Sequence, residues 1–573
     1  MDSELNIDRN QKLKFWIFLS GLFIISLIIG LIGFERYYDY HNIPHNVFKT
    51  IYATLQLFVL ESGNLTGYIP LELDIARFAA PLVSFIAIAL TLLQIFRDQW
   101  GRFKISLMRD HVIIVGYGAI GRTILNDLIE NGKNVLLIDS ELDINEKEEL
   151  QNLKCRVLTG NITEKSILKK ARIKYADFIY LLTDNDTTQI KACLLIYQLV
   201  IDSNRKRNNP LNCLMHLHNQ ELVSTLKNHQ LVKINTDAFV LKVFNINESS
   251  ARYLFDTFPP DREGISFNSH KIVQILIFGF GPAGEALALQ TAQIGHYLNG
   301  GKPKILIIDQ QAEIKIADFL SRYPTFNNFC DVEFISIASD NPQVFNKVSP
   351  YINGDHLLTT IVLCYENKTE NLLLGLQFDN IDWQNDVRIF IQTNDEFPMS
   401  TFSDIVNSYG PPSKVCSHGA IYSELLDKKA IAFHNYYLDK RKKETDFGIK
   451  AADVGWTELS QEYKDSNRKA VDHIGVKLRS IGYKIADASN TKPEIKLSNK
   501  EILMLSKLEH KRWSAERSLA GWTFNETRNN KKRESPDLVE WDKLSKETQD
   551  YDINAVKSIP SVLAKIGLKI ISQ

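Results

Sequence analysis

Two apolar stretches stand out near the start of the chain, residues 15–34 and 78–96, and neither interior carries a charge. A helix needs about 20 mostly apolar residues to cross the hydrocarbon of a bilayer. Each stretch is of that length and predicts a spanning helix. Between them lies a shorter apolar run over residues 47–60, followed by a polar, glycine-containing turn over 61–68. That run is too short to cross, but it suits a re-entrant helix over 47–62 with its backbone covered by protein or water. Arg9, Lys12 and Lys14 precede the first stretch, and Arg97, Arg102, Lys104 and Arg109 follow the second. Basic flanks stay inside the cell, so the chain is expected to be multi-pass in the cell (inner) membrane with both termini cytoplasmic. Residues 35–74 then lie outside. The first stretch exceeds the apolar core of a signal peptide and no A-x-A-like site follows it, so it is expected to be retained.

From His111 the pattern changes to short, continuous apolar runs alternating with amphipathic ones, the signature of a βαβ series. The first run opens into Gly116-Tyr-Gly118-Ala-Ile-Gly121, an apolar-periodic helix through Ile129, a turn at Asn131-Gly132 and a second strand ending at Asp139. Glycines there permit a tight turn and close approach of backbone to a pyrophosphate at a helix N-terminus. Asp139 stands where a carboxylate accepts a ribose hydroxyl, favouring NAD or another adenine or signalling nucleotide over a 2′-phosphate. The pattern then recurs. Residues 272–278 form a strand that leads into Gly279-Phe-Gly281-Pro-Ala-Gly284, and the next strand ends at Asp309. Residues 178–185 correspond likewise to 360–367, so two related lobes follow one another. Pro282 in the second loop removes an amide that could face a phosphate. Either glycine loop is otherwise explained as a turn kept for packing.

Composition narrows the function. The chain has 573 residues, enough for several domains, with a net charge of −1 and 24% charged residues, which gives no reason to invoke nucleic acid. Mean hydropathy is −0.16, so the membrane part is a minority. Six cysteines are scattered without CxxC pairs and read as free thiols of a reducing cytosol. The string Cys213-Leu-Met-His216-Leu-His218 invites a metal reading, but strand alternation turns Cys213 and His216 to opposite faces, and a plain sheet strand is expected. No metal site is expected. Hydride transfer needs a proton donor beside the cofactor, and no Ser/Tyr/Lys or His/Asp set is placed to supply one, so the chain is expected not to be an enzyme.

The last part of the chain is duplicated. Trp456-Thr-Glu-Leu-Ser-Gln-Glu462 matches Trp541-Asp-Lys-Leu-Ser-Lys-Glu547, and the match continues through Ile481-Gly482 and Ile566-Gly567. Between the halves lies Glu509-His510-Lys-Arg512-Trp513, then Arg517 and Gly521-Trp522. Helical spacing puts His510, Trp513 and Arg517 on one face. Two readings stand open: a ligand cradle in which Trp513 or Trp522 stacks a base while His510, Arg512 and Arg517 face phosphates, or a helical core in which the tryptophans only pack.

These motifs resemble known families. Span, short helix, polar turn, span is similar to the two-helix pore module of potassium channels, although Thr66-Gly67-Tyr68 stands where those channels carry a TVGYG-type filter. Glu61, Ser62, Gly63, Thr66 and Gly67 are the pore candidates. Glu61 could supply one carboxylate per subunit to a cation-attracting ring, or sit as a solvated outer-loop acid. The tandem lobes resemble the RCK gating domains of prokaryotic potassium channels, and the C-terminal repeat resembles the RyR domain named from ryanodine receptors. The expected fold class is therefore an α-helical two-span membrane domain plus α/β, with two tandem Rossmann-like RCK lobes and a mainly α-helical RyR domain. The expected boundaries are a pore-like domain over 1–110, lobes over 111–245 and 271–435, linkers over 246–270 and 436–455, and the RyR domain over 456–573. What the resemblance implies is a homo-oligomer, fourfold by analogy, embedded in membrane lipid and gated by a small-molecule nucleotide. A defence effector that collapses the membrane gradient is one version of that role. A membrane-anchored nucleotide sensor without a pore is the alternative, and an NAD-dependent oxidoreductase a remoter one.

Overall fold

The structure, a computed structural model, describes residues 2–573 other than 63–64, 154, 204–208, 220–221, 224–225, 227–235, 353, 382, 384–385, 393–404, 411 and 423–424. The chain divides into two compact units, Met1–Leu107 and Met108–Gln573.

The first unit is three helices: α1 (Asp2–Tyr40), α2 (Val47–Leu57) and α3 (Leu71–Ser106). Two stretches, Ile17–Tyr40 and Leu71–Leu92, are long and apolar enough to cross a membrane. The first runs past the expected end at 34 and the second begins before the expected start at 78, because each helix continues unbroken beyond its charge-free stretch. α3 continues past the second span through the basic residues Arg97, Arg102 and Lys104 to Ser106. α1 and α3 approach closely at Gly33, where a Cβ would lie 2.6 Å from the backbone nitrogen of Leu73. Only glycine admits that crossing. Phe34, Tyr37, Leu57, Leu73, Ala76 and Ala80 fill the space between the helices. Asn46 caps α2 by accepting the Lys49 N–H at 2.9 Å. The helix spans about 16 Å at 1.5 Å per residue, roughly half a bilayer core. It is shorter than the expected 47–62, because the chain turns at Phe58–Leu60 with Leu60 in the left-handed region (φ 64°). Phe78, Phe85 and Ile88 remain exposed on α3.

The second unit holds two parallel-sheet, Rossmann-like lobes. The first has β1 (His111–Val115), β2 (Val135–Asp139), β3 (Arg156–Thr159), β4 (Ala176–Leu181), β5 (Leu211–His216) and β6 (Phe239–Phe244), in spatial order β3-β2-β1-β4-β5-β6 with every pairing parallel. The second repeats it with β7 (Ile272–Phe278), β8 (Lys304–Asp309), β9 (Asp331–Ser336), β10 (Leu357–Leu363), β11 (Val387–Gln392) and β12 (Val406–Tyr409), in order β9-β8-β7-β10-β11-β12. The central strands are buried along their whole length, as their unbroken Val/Ile/Leu runs require of a sheet covered on both faces. In each lobe the strand order reverses beside the first strand, which opens a crevice at the carboxyl ends of the strands.

The helices that matter below are α4 (Ala119–Glu130), α5 (Asp186–Asp202), α6 (Ile246–Thr257), α7 (Pro282–Ile294), α8 (Lys368–Asp379) and α9 (Lys428–Arg441). Two of them correct the expected linkers. Residues 246–270 contain α6, whose Ala251, Leu254 and Phe255 lie in the second lobe's core. Residues 436–455 begin inside α9, and Arg441 there forks onto the buried Asp453. Both stretches are polar enough to resemble connectors, yet α6 packs on both lobes, with Ile246 and Tyr253 against the first lobe's core and Ala251, Leu254 and Phe255 in the second's. The expected end of the second lobe also shifts. After β12 the chain crosses back to the first lobe, where Val415 and Cys416 enter the core and the His418 N–H donates to Asp127 at 2.6 Å.

The C-terminal repeat contains α10 (Gln461–Asp472), α11 (Ile474–Arg479), α12 (Asn499–Leu519) and α13 (Lys546–Ala564). A capping box between Ser498 and Glu501 starts α12. The two halves close on each other: Tyr483–Asp487, ending the first, pairs antiparallel with Leu568–Ser572, ending the second. Trp456 and Trp541 are both buried. This repeat packs on the second lobe, with Val476 and Leu519 in that lobe's core. Arg252 of α6 forks onto Asp472 at 2.7 and 3.0 Å, and Arg479 forks onto Asp261 at 2.9 and 2.7 Å.

Candidate nucleotide-binding cleft

Each glycine loop divides into positions that the protein itself demands and one that it does not. Gly116 has φ 99°, and a Cβ on Gly121 would stand 2.1 Å from the Gly116 carbonyl oxygen. Strand-to-helix packing alone therefore requires these two. Gly118 differs: it has an ordinary φ of −69°, and nothing lies within 4 Å of a Cβ placed on it. The second lobe repeats the division. Gly279 and Gly284 are hemmed in by Tyr365 and by the Gly279 carbonyl, whereas a Cβ on Gly281 would meet only a Glu366 carboxylate oxygen at 3.9 Å. Gly118 and Gly281 are the N-caps of α4 and α7, and neither helix has a side-chain cap. Pro282 occupies the opening of α7, where the helix loses no hydrogen bond to it.

The acids expected to meet a ribose are engaged by their own loops. Asp139 accepts the Tyr117 N–H at 2.8 Å and the Glu141 N–H at 2.9 Å. Asp309 accepts the Phe280 N–H and the Gln311 N–H, each at 2.9 Å, and the Lys315 ammonium at 2.7 Å. Burial would raise the Asp309 pKa, but these three donors outweigh it and hold the carboxyl below its ordinary value. In both lobes the carboxylate thus shapes the glycine loop, and in the second a lysine also neutralises it.

The two loops open into one cleft of about 1150 Å³. Gly118 lines it from the first lobe and Gly279 and Gly281 from the second, together with Asp309, Lys315 and Lys368. The sequence shows two loops; that they share a single cleft is a property of how the lobes face each other. The far side of the cleft carries His216 and His218. Asp186, opening α5, holds His218 by its backbone N–H at 3.0 Å and its ring at 3.1 Å. The alternation that separates Cys213 from His216 puts them on opposite faces, and His216 lies at the cleft as the last residue of β5.

The C-terminal residues do not form one cradle. Arg512 is 1% exposed, and its guanidinium is bound by Glu509 at 3.0 Å and Glu516 at 2.5 Å. It therefore cannot face a phosphate, because its donors are spent on two buried carboxylates. Lys477 also pairs with Glu509. His510 stacks on Trp513 and bridges the Asp552 carboxylate and the Val539 carbonyl. Burial works against its charge, but the Asp552 bond prevails and raises its pKa. Arg517 lies between Trp513 and Trp522, 5.9 and 5.2 Å from the rings, and its Nη1 binds Glu462 at 2.6 Å. Trp522 is itself buried. In the membrane unit Glu61, Thr66 and Gly67 are exposed and Ser62 is half-buried, while Gly63 lies outside the described residues. The Thr66 N–H and carbonyl are both bonded to the Tyr37 hydroxyl, at 3.0 and 3.1 Å. No cluster of metal-ligating side chains occurs among the described residues.

The geometry defines two Rossmann-like lobes joined to a repeat domain, and comparison with known proteins finds matches to two parts of the chain. Residues 112–210 match the TrkA-N domain and residues 493–572 the RyR domain. The chain is 37% identical over 93 residues to a Trk system potassium uptake protein TrkA homolog of Methanothermobacter thermautotrophicus, covering 16% of this chain and 42% of that protein. It is 27% identical over 95 residues to the Trk system potassium uptake protein TrkA of Vibrio alginolyticus, covering 16% of this chain and 20% of that one. The chain thus spans less than half the length of these relatives. Among solved structures it is similar to the GsuK channel, at 15% identity and a TM-score of 0.40 over 73% of this chain and 84% of that one. It is also similar to GsuK bound to ADP, at 16% identity and a TM-score of 0.39 over 73% and 99%.

Proposed function

We propose that this chain is one subunit of an oligomeric, ligand-gated ion channel of the cell membrane, potassium- or cation-conducting, in which an adenine-type nucleotide bound at the glycine loops controls the pore. It acts by binding and not by catalysis. The observation that carries the ligand is the pair of middle glycines, Gly118 and Gly281, kept free of side chains where the protein alone has no need of it. A backbone left bare at an uncapped helix N-terminus is what a pyrophosphate requires. The relatives named for potassium uptake favour a potassium-linked role. Two long apolar helices with exposed Phe78, Phe85 and Ile88 suit lipid and neighbouring copies. Three helices are too few to enclose a conduit, so closed rotational symmetry, fourfold by resemblance, completes it. In a bacterial setting, opening such a pore on a signalling nucleotide would serve as a defence effector.

The test is potassium flux from liposomes carrying the purified full chain, with and without NAD or ADP. The expected outcome is a nucleotide-dependent change in flux, lost in Gly118→Val, which fills the open space without touching the core. Flux absent under every nucleotide tried would overturn the channel. Nucleotide binding without flux would instead favour the anchored sensor, for which the exposed Glu61 already leaves room.

A further inference from the structure

The shared cleft is built from matched parts. Gly118, Ala119 and Asp184 line it from the first lobe, and Gly281, Pro282 and Glu366 from the second. These positions are equivalent: the N-cap and first residue of the helix after each glycine turn, and an acid at the third place beyond β4 or β10. The sheets carry them in the same register, since Val115 pairs with Leu181 in one lobe and Phe278 with Leu363 in the other. One space therefore receives two bare turns and two uncapped helix openings, one of each from either lobe. Its volume of about 1150 Å³ exceeds the roughly 300–1,000 Å³ usual for a pocket that takes a single small ligand.

The two ends are not equal in strength. Pro282 withholds one amide from the second loop, and two lysines supply charge there instead. Lys315 bonds Asp309 at 2.7 Å, on the carboxylate oxygen that also accepts the Phe280 N–H of the loop, and Lys368 bonds the Gln392 side chain at 2.8 Å. Both lysines line the cleft. Asp184 and Glu366 are exposed and would repel a bare polyphosphate. A magnesium complex removes that repulsion, because the ion is shared between phosphates and one or two carboxylates.

We propose that the cleft takes one two-headed ligand, a dinucleoside polyphosphate, whose phosphate chain runs from the opening of α4 to the opening of α7 with a nucleoside at each end. The inference rests on the nucleotide reading of the glycine loops and adds that both loops of one chain hold the same molecule. The first loop binds one end, and the weaker second loop engages only the end so delivered. Tethering of this kind raises affinity by about 10²–10⁴ over one end alone. A molecule gripped by both lobes also resists any change in their separation, which a mononucleotide in one loop does not.

The test is isothermal titration of the full chain in detergent with magnesium, using diadenosine tetraphosphate as the two-headed probe and ADP as the single-headed one. The tetraphosphate is expected to bind once per chain and at least about tenfold more tightly than ADP. Gly281→Val is expected to bring the tetraphosphate down to the affinity of ADP measured on the same variant. Lengthening the phosphate chain one unit at a time, on the unaltered protein, should give an affinity maximum where the chain matches the gap between the loops and a fall beyond it; this series needs no variant to fold. A tetraphosphate no tighter than ADP, an affinity that ignores Gly281→Val, or one that climbs with every added phosphate overturns the inference while the nucleotide reading of the Gly118 loop stands. If neither ADP nor any dinucleoside polyphosphate binds the parent protein, both fall.

Discussion

At the scale of single residues, similar side chains are held for opposite reasons. Gly121 is required by its own loop, whereas Gly118 is not. Gly121→Ala is expected to cost about 1–3 kcal/mol of stability by overpacking against the Gly116 carbonyl, read by denaturant unfolding. Gly118→Val is expected to cost at most about 1 kcal/mol, the difference between glycine and valine at an N-cap, and to abolish nucleotide binding. Arg512 gives the contrast in charge. Replacing it by Met would leave Glu516 without its cation and Glu509 with Lys477 alone, and loss of one partner of a buried pair costs about 3–5 kcal/mol. An unfolding free energy within about 1 kcal/mol of the parent would mean that the carboxylates are not buried as described.

At the scale of elements, the helix crossing of the membrane unit turns on one position. With a Cβ at Gly33 only 2.6 Å from the Leu73 backbone, Gly33→Val must push α1 off α3 and expose the contact of Phe34 with Leu73. The expected result is a lower thermal midpoint in detergent, with nucleotide affinity unchanged. The seam between α7 and the C-terminal helices makes a second prediction. His296 at the end of α7 and His473 between α10 and α11 lie 6.2 Å apart between ring centroids, and the His473 ring bonds the His296 carbonyl at 3.0 Å. Burial pushes His296 down to about 3 and His473 to about 4, with Arg512, Lys511 and Lys477 adding to the effect and Glu509 opposing it at His473. Both pKa values are lowered on folding, so the unfolded chain takes up protons first. Stability is then full above about pH 6.5 and is lost as pH falls toward 4. Hydrogen exchange along α7 and α12 should accelerate across that window, and the double variant His296→Gln, His473→Gln should flatten the dependence.

At the scale of the whole molecule, the repeat domain is not a tethered accessory. Arg252 joins Asp472 and Asp427 across the seam, and Arg479 joins Asp261. A ligand that moved the second lobe would be expected to carry the C-terminal domain with it, because Arg252 and Asp261 are buried and cannot leave their partners without stranding charge. Arg252→Ala is expected to release that domain, seen as faster proteolysis of residues 442–460 and as nucleotide-dependent flux that no longer responds fully.

Local rules were enough for everything repeated along the chain. The two apolar spans, the glycine loops, the acids ending β2 and β8 and the paired tryptophan motifs are legible because periodicity and turn chemistry act over a few neighbouring residues. The parallel pairing of the strands follows from the same βαβ rhythm; their spatial order comes from the structure. Other features depend on distant segments meeting: the single cleft shared by two loops, the return of residues 412–427 to the first lobe and the burial of Arg512. A helix wheel puts Arg512 beside Glu509 and Glu516, off the face shared by His510, Trp513 and Arg517, but cannot show that Lys477 closes over the group and that the core covers it. Linker-like polarity over 246–270 and 436–455 hid α6 and the end of α9, whose few apolar residues acquire meaning only from the core they enter. The sequence determined which segments would fold and what each loop could hold. The tertiary structure decided which charges are spent internally and which groups are left facing the cleft, because burial and pairing are set by neighbours that the chain brings together from afar.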